Sequence, residues 1–327
     1  MADKKYSEAI RDVLAEEMRR DPRIFVMGED VAEMGGVFGC TRGLLQEFGP
    51  RRVRNTPISE AAIVGAGVGA ALAGMRPIVE LMYMDFAFIA MDQILNQAAK
   101  IRYIYGGKAA VPLVIRGQQG VGRGNAATHS QSVETFFMHI PGVMVAMPST
   151  PRDAAGLLRT AIRGSDPVVF IEHKALYATS GDVPSDSDFA LPFGLAEIRR
   201  EGKDVTLVAT SFMVPRALAA AGKLAQEGIE IEVVDPRTLV PLDEEAILRS
   251  VKKTGRALVL HEAHRTCGVG AEIASLIQER AFRWLKGPVR RLGARQCPLP
   301  FNLALENAVI PQENDVVAAV QETCRDG

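Results

Sequence analysis

Glu60 follows the segment Asn55-Thr-Pro-Ile-Ser59 and opens a run of small apolar residues. A carboxyl group so placed can exchange a proton with a bound base. It can equally do no more than favour the positive end of a helix whose N-cap is Ser59. His129, in Thr128-His-Ser-Gln-Ser132, lies just past a glycine-rich run, Gly117-Gln-Gln-Gly120-Val-Gly122-Arg-Gly124. An imidazole there can serve as an acid or base near neutral pH, or as a structural side chain. The glycine run lacks the Lys-Ser/Thr of a P-loop and reads either as a ligand loop at a strand's carboxyl end or as a surface turn. Gly65-Ala-Gly67-Val-Gly69-Ala70 fits the loose dinucleotide pattern, but a helical first turn precedes it where a strand is needed. Close helix packing is therefore the expected role of these glycines. His261-Glu-Ala-His264 lacks the H-E-x-x-H spacing of a zinc site and reads as a strand end. Phe86, beside Asp85, reads from its own context as core.

The elements that must position these groups follow from periodicity. Ile10, Val13, Leu14 and Met18 share one helical face, which Asp21-Pro22 ends. Strands are expected at 24–27, 76–81, 111–115, 143–147 and 168–171, with helices at 59–73, 86–101, 132–139 and 152–162. After the polar, turn-rich stretch 180–188, strands recur at 205–209, 229–234, 257–260 and 289–292. Helices are expected at 215–226, 243–251 and 271–284, with a last one from about Asn314. Such alternation predicts an α/β protein with two parallel-sheet domains: 1–175, a linker at 176–203, and 204–327.

Composition bounds the function. The chain has 327 residues, 47% hydrophobic and 24% charged, with a net charge of -1. This excludes a disordered chain and gives no electrostatic surplus for nucleic acid or an anionic membrane. The longest uncharged apolar stretch, residues 61–75, ends at Arg76 and is shorter than the ~20 residues a membrane span needs. Cys40, Cys267, Cys297 and Cys324 form no C-x-x-C pair, and the amino-terminal residues show no apolar signal core. A cytoplasmic protein with free thiols is expected.

Several segments together resemble a known family. They are Gly28-Glu-Asp30 with Gly35-Gly-Val-Phe38, Thr56-Pro-Ile-Ser-Glu-Ala-Ala-Ile-Val64, and Met91-Asp-Gln-Ile-Leu-Asn-Gln-Ala-Ala-Lys-Ile-Arg-Tyr103. His129-Ser-Gln-Ser132, Pro148-Ser-Thr-Pro151 and Asp235-Pro-Arg-Thr-Leu239 extend the match over nearly the whole chain. The sequence resembles the beta subunit of the thiamine-diphosphate-dependent first component of 2-oxo acid dehydrogenase complexes. Met84-Asp-Phe86, Ala99-Lys-Ile-Arg-Tyr103 and His261-Glu-Ala263 look most like the acetoin dehydrogenase type, and pyruvate and branched-chain types share most motifs.

The resemblance implies a transketolase-like pyrimidine-binding domain followed by a transketolase C-terminal domain. It implies that Glu60 hydrogen-bonds N1′ of the cofactor's aminopyrimidine and favours the imino tautomer that takes the C2 proton. It implies that Phe86 stacks on the pyrimidine beside Ile58 and Met82, and that His129 acts in transfer to a lipoyl group. Met82 departs from the polar residue of branched-chain members. Leu113, Ala161, Ile162, Gly164 and Asp166 match positions around a structural potassium ion, although Gly164 and Asp166 replace Asp and Asn of other members. The family's Gly-Asp-Gly anchor for Mg²⁺ and diphosphate is absent, since Gly181-Asp182 is followed by Val183. Half of the cofactor site is therefore expected on an alpha subunit, in an α2β2 heterotetramer that serves a lipoyl-bearing acyltransferase core. A beta–beta homodimer is expected for the chain alone. A docking scaffold without catalysis is the contrasting reading, and Glu60, Phe86 and His129 argue against it.

Overall fold

The computed structural model describes residues 1–326. In chain order the elements of its first half are β1 (Ala2–Lys5), α1 (Tyr6–Arg20), β2 (Ile24–Gly28), α2 (Leu44–Phe48), β3 (Val53–Asn55), α3 (Glu60–Leu72), β4 (Arg76–Leu81), α4 (Ile101–Ile104), β5 (Val114–Gln119), α5 (Glu134–Met138), β6 (Met144–Ala146), α6 (Pro151–Arg163), β7 (Val168–His173) and β8 (Ser180–Val183). The second half contains β9 (Glu197–Arg200), β10 (Val205–Ala209), α7 (Met213–Gln226), β11 (Ile231–Asp235), β12 (Thr238–Val240), α8 (Glu244–Thr254), β13 (Ala257–His264), α9 (Val269–Ala281), β14 (Arg290–Ala294), α10 (Leu303–Val309) and α11 (Glu313–Arg325). No helix among the described residues is long and apolar enough to cross a membrane.

The chain forms two compact units, each discontinuous: Met1–Gln119 with Phe136–Phe193, and Gly120–Thr135 with the residues from Gly194 onward. In the first unit, parallel strands lie in the order β6-β7-β5-β4-β2-β3. Strands β2, β4, β5 and β7 are buried along almost their whole length, as central strands covered on both faces must be. Helix α1 buries Ile10, Val13, Leu14 and Met18, the face its periodicity foretells. Helix α3 lies on the sheet, where a Cβ at Gly67 would stand 2.8 Å from Val79 Cγ1 and 3.0 Å from Leu113 Cδ1. Gly67 therefore lets helix and sheet approach closely, and the run of glycines is a helix interior, not a nucleotide turn.

The second unit has the sheet order β14-β13-β10-β11-β9. Its core packs Leu207, Val233, Leu258 and Leu260 under Ala217, Ala221, Leu224, Val316 and Val320. The 176–203 stretch, expected as a linker, carries two strands. Strand β8 pairs antiparallel with β1, and β9 pairs antiparallel with β11 as an edge strand. These ladders satisfy backbone groups that a free linker would leave to water.

The helix expected over 86–101 is broken. It forms a 3₁₀ segment at Met84–Ala90, a π-helical segment at Gln93–Ala98, and then α4. A π turn holds more residues than an α turn and so shifts which side chains face inward. Here it buries Ile94 and Ala98 and leaves Ile89, Tyr103 and Ile104 exposed.

Candidate active site and its loop supports

Open parallel sheets bind ligands at the carboxyl ends of their strands. In the first unit this edge carries Glu29 just after β2, Thr56 to Glu60 after β3, and Met82 to Phe86 after β4. Glu60 is the first residue of α3 and is 4% exposed. Ser59 sits at the cap position, but its hydroxyl makes no capping bond. The positive helix end thus faces the Glu60 carboxylate without a competing side chain.

Glu29 is buried nearby. Its carboxyl is pushed above the usual range, first by burial and then by the negative charges of Glu60 and Asp30. Its Oε1 is buried and has no hydrogen-bond partner. Two acidic groups therefore share a poorly solvated place, and one is biased toward holding a proton. Phe86 and Met82 are half-buried, and the Phe86 ring meets Tyr83 edge-on at 6.1 Å. Ile58 is 80% exposed.

Below this edge lies a buried ionic cluster absent from the sequence reading. Arg116 on β5 forms a two-pronged contact with Glu172 on β7, at 2.7 Å and 2.6 Å, and donates a further bond to Glu80 on β4. Tyr177 donates its hydroxyl to Glu172 at 2.6 Å. Burial opposes the Arg116 charge, but Glu172 and Glu80 hold it, so the guanidinium stays protonated well beyond its ordinary range. Burial also pushes the Cys40 thiol and the Glu80 carboxyl up. Phe38 stacks on Tyr177 at 4.7 Å, and the Thr41 hydroxyl donates to the Val31 carbonyl at 2.7 Å. The loop that begins with Glu29 is thereby fastened to the sheet.

The potassium-type positions lie at the opposite, amino-terminal edge. Leu113 gives its carbonyl to the Val168 N–H at 2.9 Å, and Ala161 gives its own to Gly164 at 3.3 Å. The Ile162 carbonyl accepts Arg76 Nε at 3.1 Å and Nη2 at 2.6 Å, and the Gly164 carbonyl also accepts from Arg76. Asp166 is paired with Arg102.

His129 belongs to the second unit, on the segment Gly120–Thr135. It is half-exposed, with Nδ1 3.0 Å from the Thr128 hydroxyl. His261 lies within β13 instead of at a strand end, fully buried, and burial depresses its pKa to about 4. It is a neutral core imidazole. Among the described residues no group of three or more His, Cys, Asp or Glu converges as a metal site.

Comparison with known proteins agrees with this architecture. Residues 2–179 match the transketolase pyrimidine-binding domain, and residues 194–316 match the transketolase C-terminal domain. The chain is 47% identical over 329 residues to the beta subunit of acetoin:2,6-dichlorophenolindophenol oxidoreductase from Cupriavidus necator, covering 98% of this chain and 97% of that protein. It is 46% identical over 324 residues to the pyruvate dehydrogenase E1 component subunit beta of Rhizobium meliloti, covering 99% of this chain and 70% of that protein. A solved structure described as a split-gene transketolase, inactive beta4 tetramer, superposes with a TM-score of 0.80 at 25% identity, covering 98% of both chains. The chain belongs to the transketolase-like beta subunits of thiamine-diphosphate-dependent dehydrogenase first components.

Proposed function

We propose that this chain is the catalytic beta subunit of an acetoin-cleaving first component, paired with an alpha subunit in a cytoplasmic α2β2 heterotetramer. Its product unit passes to the lipoyl group of an acyltransferase core. The observation that carries the reading is the buried acid pair Glu29–Glu60 at the carboxyl edge, with an orphaned carboxyl oxygen and a half-buried aromatic ring on the same edge. Such a place fits an aminopyrimidine, which offers a basic ring nitrogen to a carboxyl group and a flat face to Phe86. When bound, thiamine diphosphate supplies a nucleophilic carbon and a ring that accepts the electron pair of carbon–carbon cleavage. Glu60 holds and returns a proton at the pyrimidine N1′. Glu29, whose carboxyl burial and the Glu60 and Asp30 charges push upward, is biased toward holding a proton beside it. Phe86 and Met82 orient the ring and exclude water, the exposed Ile58 flanks it, and His129 provides a proton for the lipoyl dithiolane.

The diphosphate and Mg²⁺ are assigned to the alpha subunit, because this chain lacks Gly-Asp-Gly and a bare diphosphate needs a metal and fixed donors. Potassium does not fit the set Leu113, Ala161, Ile162, Gly164 and Asp166. The Arg76 guanidinium already brings one positive charge to the Ile162 and Gly164 carbonyls, and a second cation there would be repelled. Pyruvate is the second reading for the substrate, favoured by the similarity to the Rhizobium meliloti subunit. Calorimetry with thiamine diphosphate and Mg²⁺ tests the half-site. The lone chain is expected to bind weakly and turn over neither acetoin nor pyruvate, and added alpha subunit is expected to restore both binding and acetoin cleavage. Tight binding with turnover by the lone chain would sink the reading.

A further inference from the structure

We infer that Glu262 is a positioning residue that, with Glu306, clamps the loop carrying His129 and so sets where that imidazole is presented. The inference rests on the transfer role given to His129 above. Glu262 is 7% exposed on β13. A single oxygen, Oε1, accepts both the Val121 N–H and the Ser132 hydroxyl, each at 3.0 Å. One carboxylate thus ties together the two ends of the loop. The Gly120 N–H donates to the Gln131 carbonyl at 3.1 Å and closes the same base. Glu306, fully buried on α10, accepts the Gly122 N–H at 3.0 Å.

Packing reinforces the clamp. The Val121 side chain is buried in a cluster with Ala294, Leu299, Val309 and Ile310. Gly124 has a φ of +62°, and a Cβ there would lie 2.7 Å from the Phe301 carbonyl oxygen, so the chain turns where only glycine fits. The loop is therefore seated on its own unit by two buried carboxylates, an apolar plug and a tight glycine contact. His129 stands inside the segment so closed. A general acid works only within hydrogen-bond reach of its target, and a displacement of about 1 Å can cost on the order of 10²-fold. Carboxylate bonds to backbone N–H groups are stronger than neutral ones, which suits them to fixing such a loop.

The test uses the assembled holoenzyme, with Glu262→Ala, Glu262→Gln and His129→Ala variants. Dye reduction with 2,6-dichlorophenolindophenol and reductive transfer to a lipoyl domain are measured on each, with hydrogen exchange over residues 120–132. Glu262→Ala is expected to speed exchange across the loop and to lower lipoyl transfer about tenfold more than dye reduction. Glu262→Gln, whose amide oxygen still accepts both bonds, is expected to restore the slow exchange and the transfer. Unchanged exchange in Glu262→Ala overturns the clamp. Equal loss of both activities in Glu262→Ala, against a selective loss in His129→Ala, overturns the link between clamp and transfer. If His129→Ala shows no selective loss, the role of His129 falls and exchange alone decides the clamp. Should Glu262→Ala fail to assemble, Ser132→Ala removes one of the two bonds to the same oxygen and must loosen the loop.

Discussion

The first unit buries carboxyl groups in two opposite ways. Around Arg116, Glu172 and Glu80 share a guanidinium, and Tyr177 supplies a further donor. At the carboxyl edge, burial and the Glu60 and Asp30 charges push the Glu29 carboxyl up, and one Glu29 oxygen has no partner. The first arrangement spends its charges on holding the loop after β2. The second is met by a helix end instead of a guanidinium and leaves carboxyl groups where a ligand can use them. Buried acids are costly unless paired, so an unpaired one at a strand's carboxyl edge marks function and a saturated one marks architecture.

The largest expected effect comes from the unpaired side. Glu60→Gln should lower turnover of the assembled enzyme by about 10²–10⁴, the usual cost of losing a proton-transfer group, while the thermal midpoint holds. Normal turnover by a well-folded Glu60→Gln tetramer would remove Glu60 from the chemistry. On the paired side, Arg116→Met leaves two buried carboxylates without their cation. Urea unfolding should register a loss of about 3–5 kcal/mol, the range for breaking a buried pair from one side. A loss under about 1 kcal/mol would mean that the cluster does not need its cation, and the contrast would collapse.

The smallest effect sharpens the sign. A carboxyl whose folded pKa is raised binds more protons folded than unfolded across the window between its unfolded and folded values. Its contribution therefore turns unfavourable as pH rises through that window. Glu29→Gln should be more stable than the parent chain at pH 8, within the roughly 0.5–2 kcal/mol usual for relaxing a strained site. The gain should shrink as pH falls below the ordinary glutamate range. An advantage that is the same at pH 4 and pH 8 would show that the surroundings do not raise the Glu29 carboxyl.

Much of this was legible from the sequence. The alternation of apolar runs foretold the sheets, and the α1 face was readable from Ile10, Val13, Leu14 and Met18. Glu60 stood out at the head of a helix, although spacing alone could not separate a cap charge from a catalytic acid, and the family resemblance weighed that choice. The Arg116 cluster was hidden because Glu80, Arg116 and Glu172 lie on different strands. Only sheet register, with Glu80 beside Arg116 and Gln118 beside Glu172, brings them together. Arg76 opens β4 as its apolar run predicts, and nothing local announces that its head group reaches the Ile162 carbonyl. The local sequence of the glycine run at the end of β5 reads equally as a ligand loop or a turn. Its anchors, Glu262 and Glu306, lie more than a hundred residues downstream, beyond the reach of any local pattern.

That separation sets an order of events as the chain is made. The segment Gly120–Thr135 leaves the ribosome long before Ala294, Val309 and Ile310, the residues that bury Val121. At about 5–20 residues per second, Val121 waits on the order of ten seconds or more for its place in the core. Throughout that interval an apolar side chain and the N–H groups of Val121 and Gly122 stay in water. The loop base therefore cannot be completed during synthesis until the carboxy-terminal residues arrive.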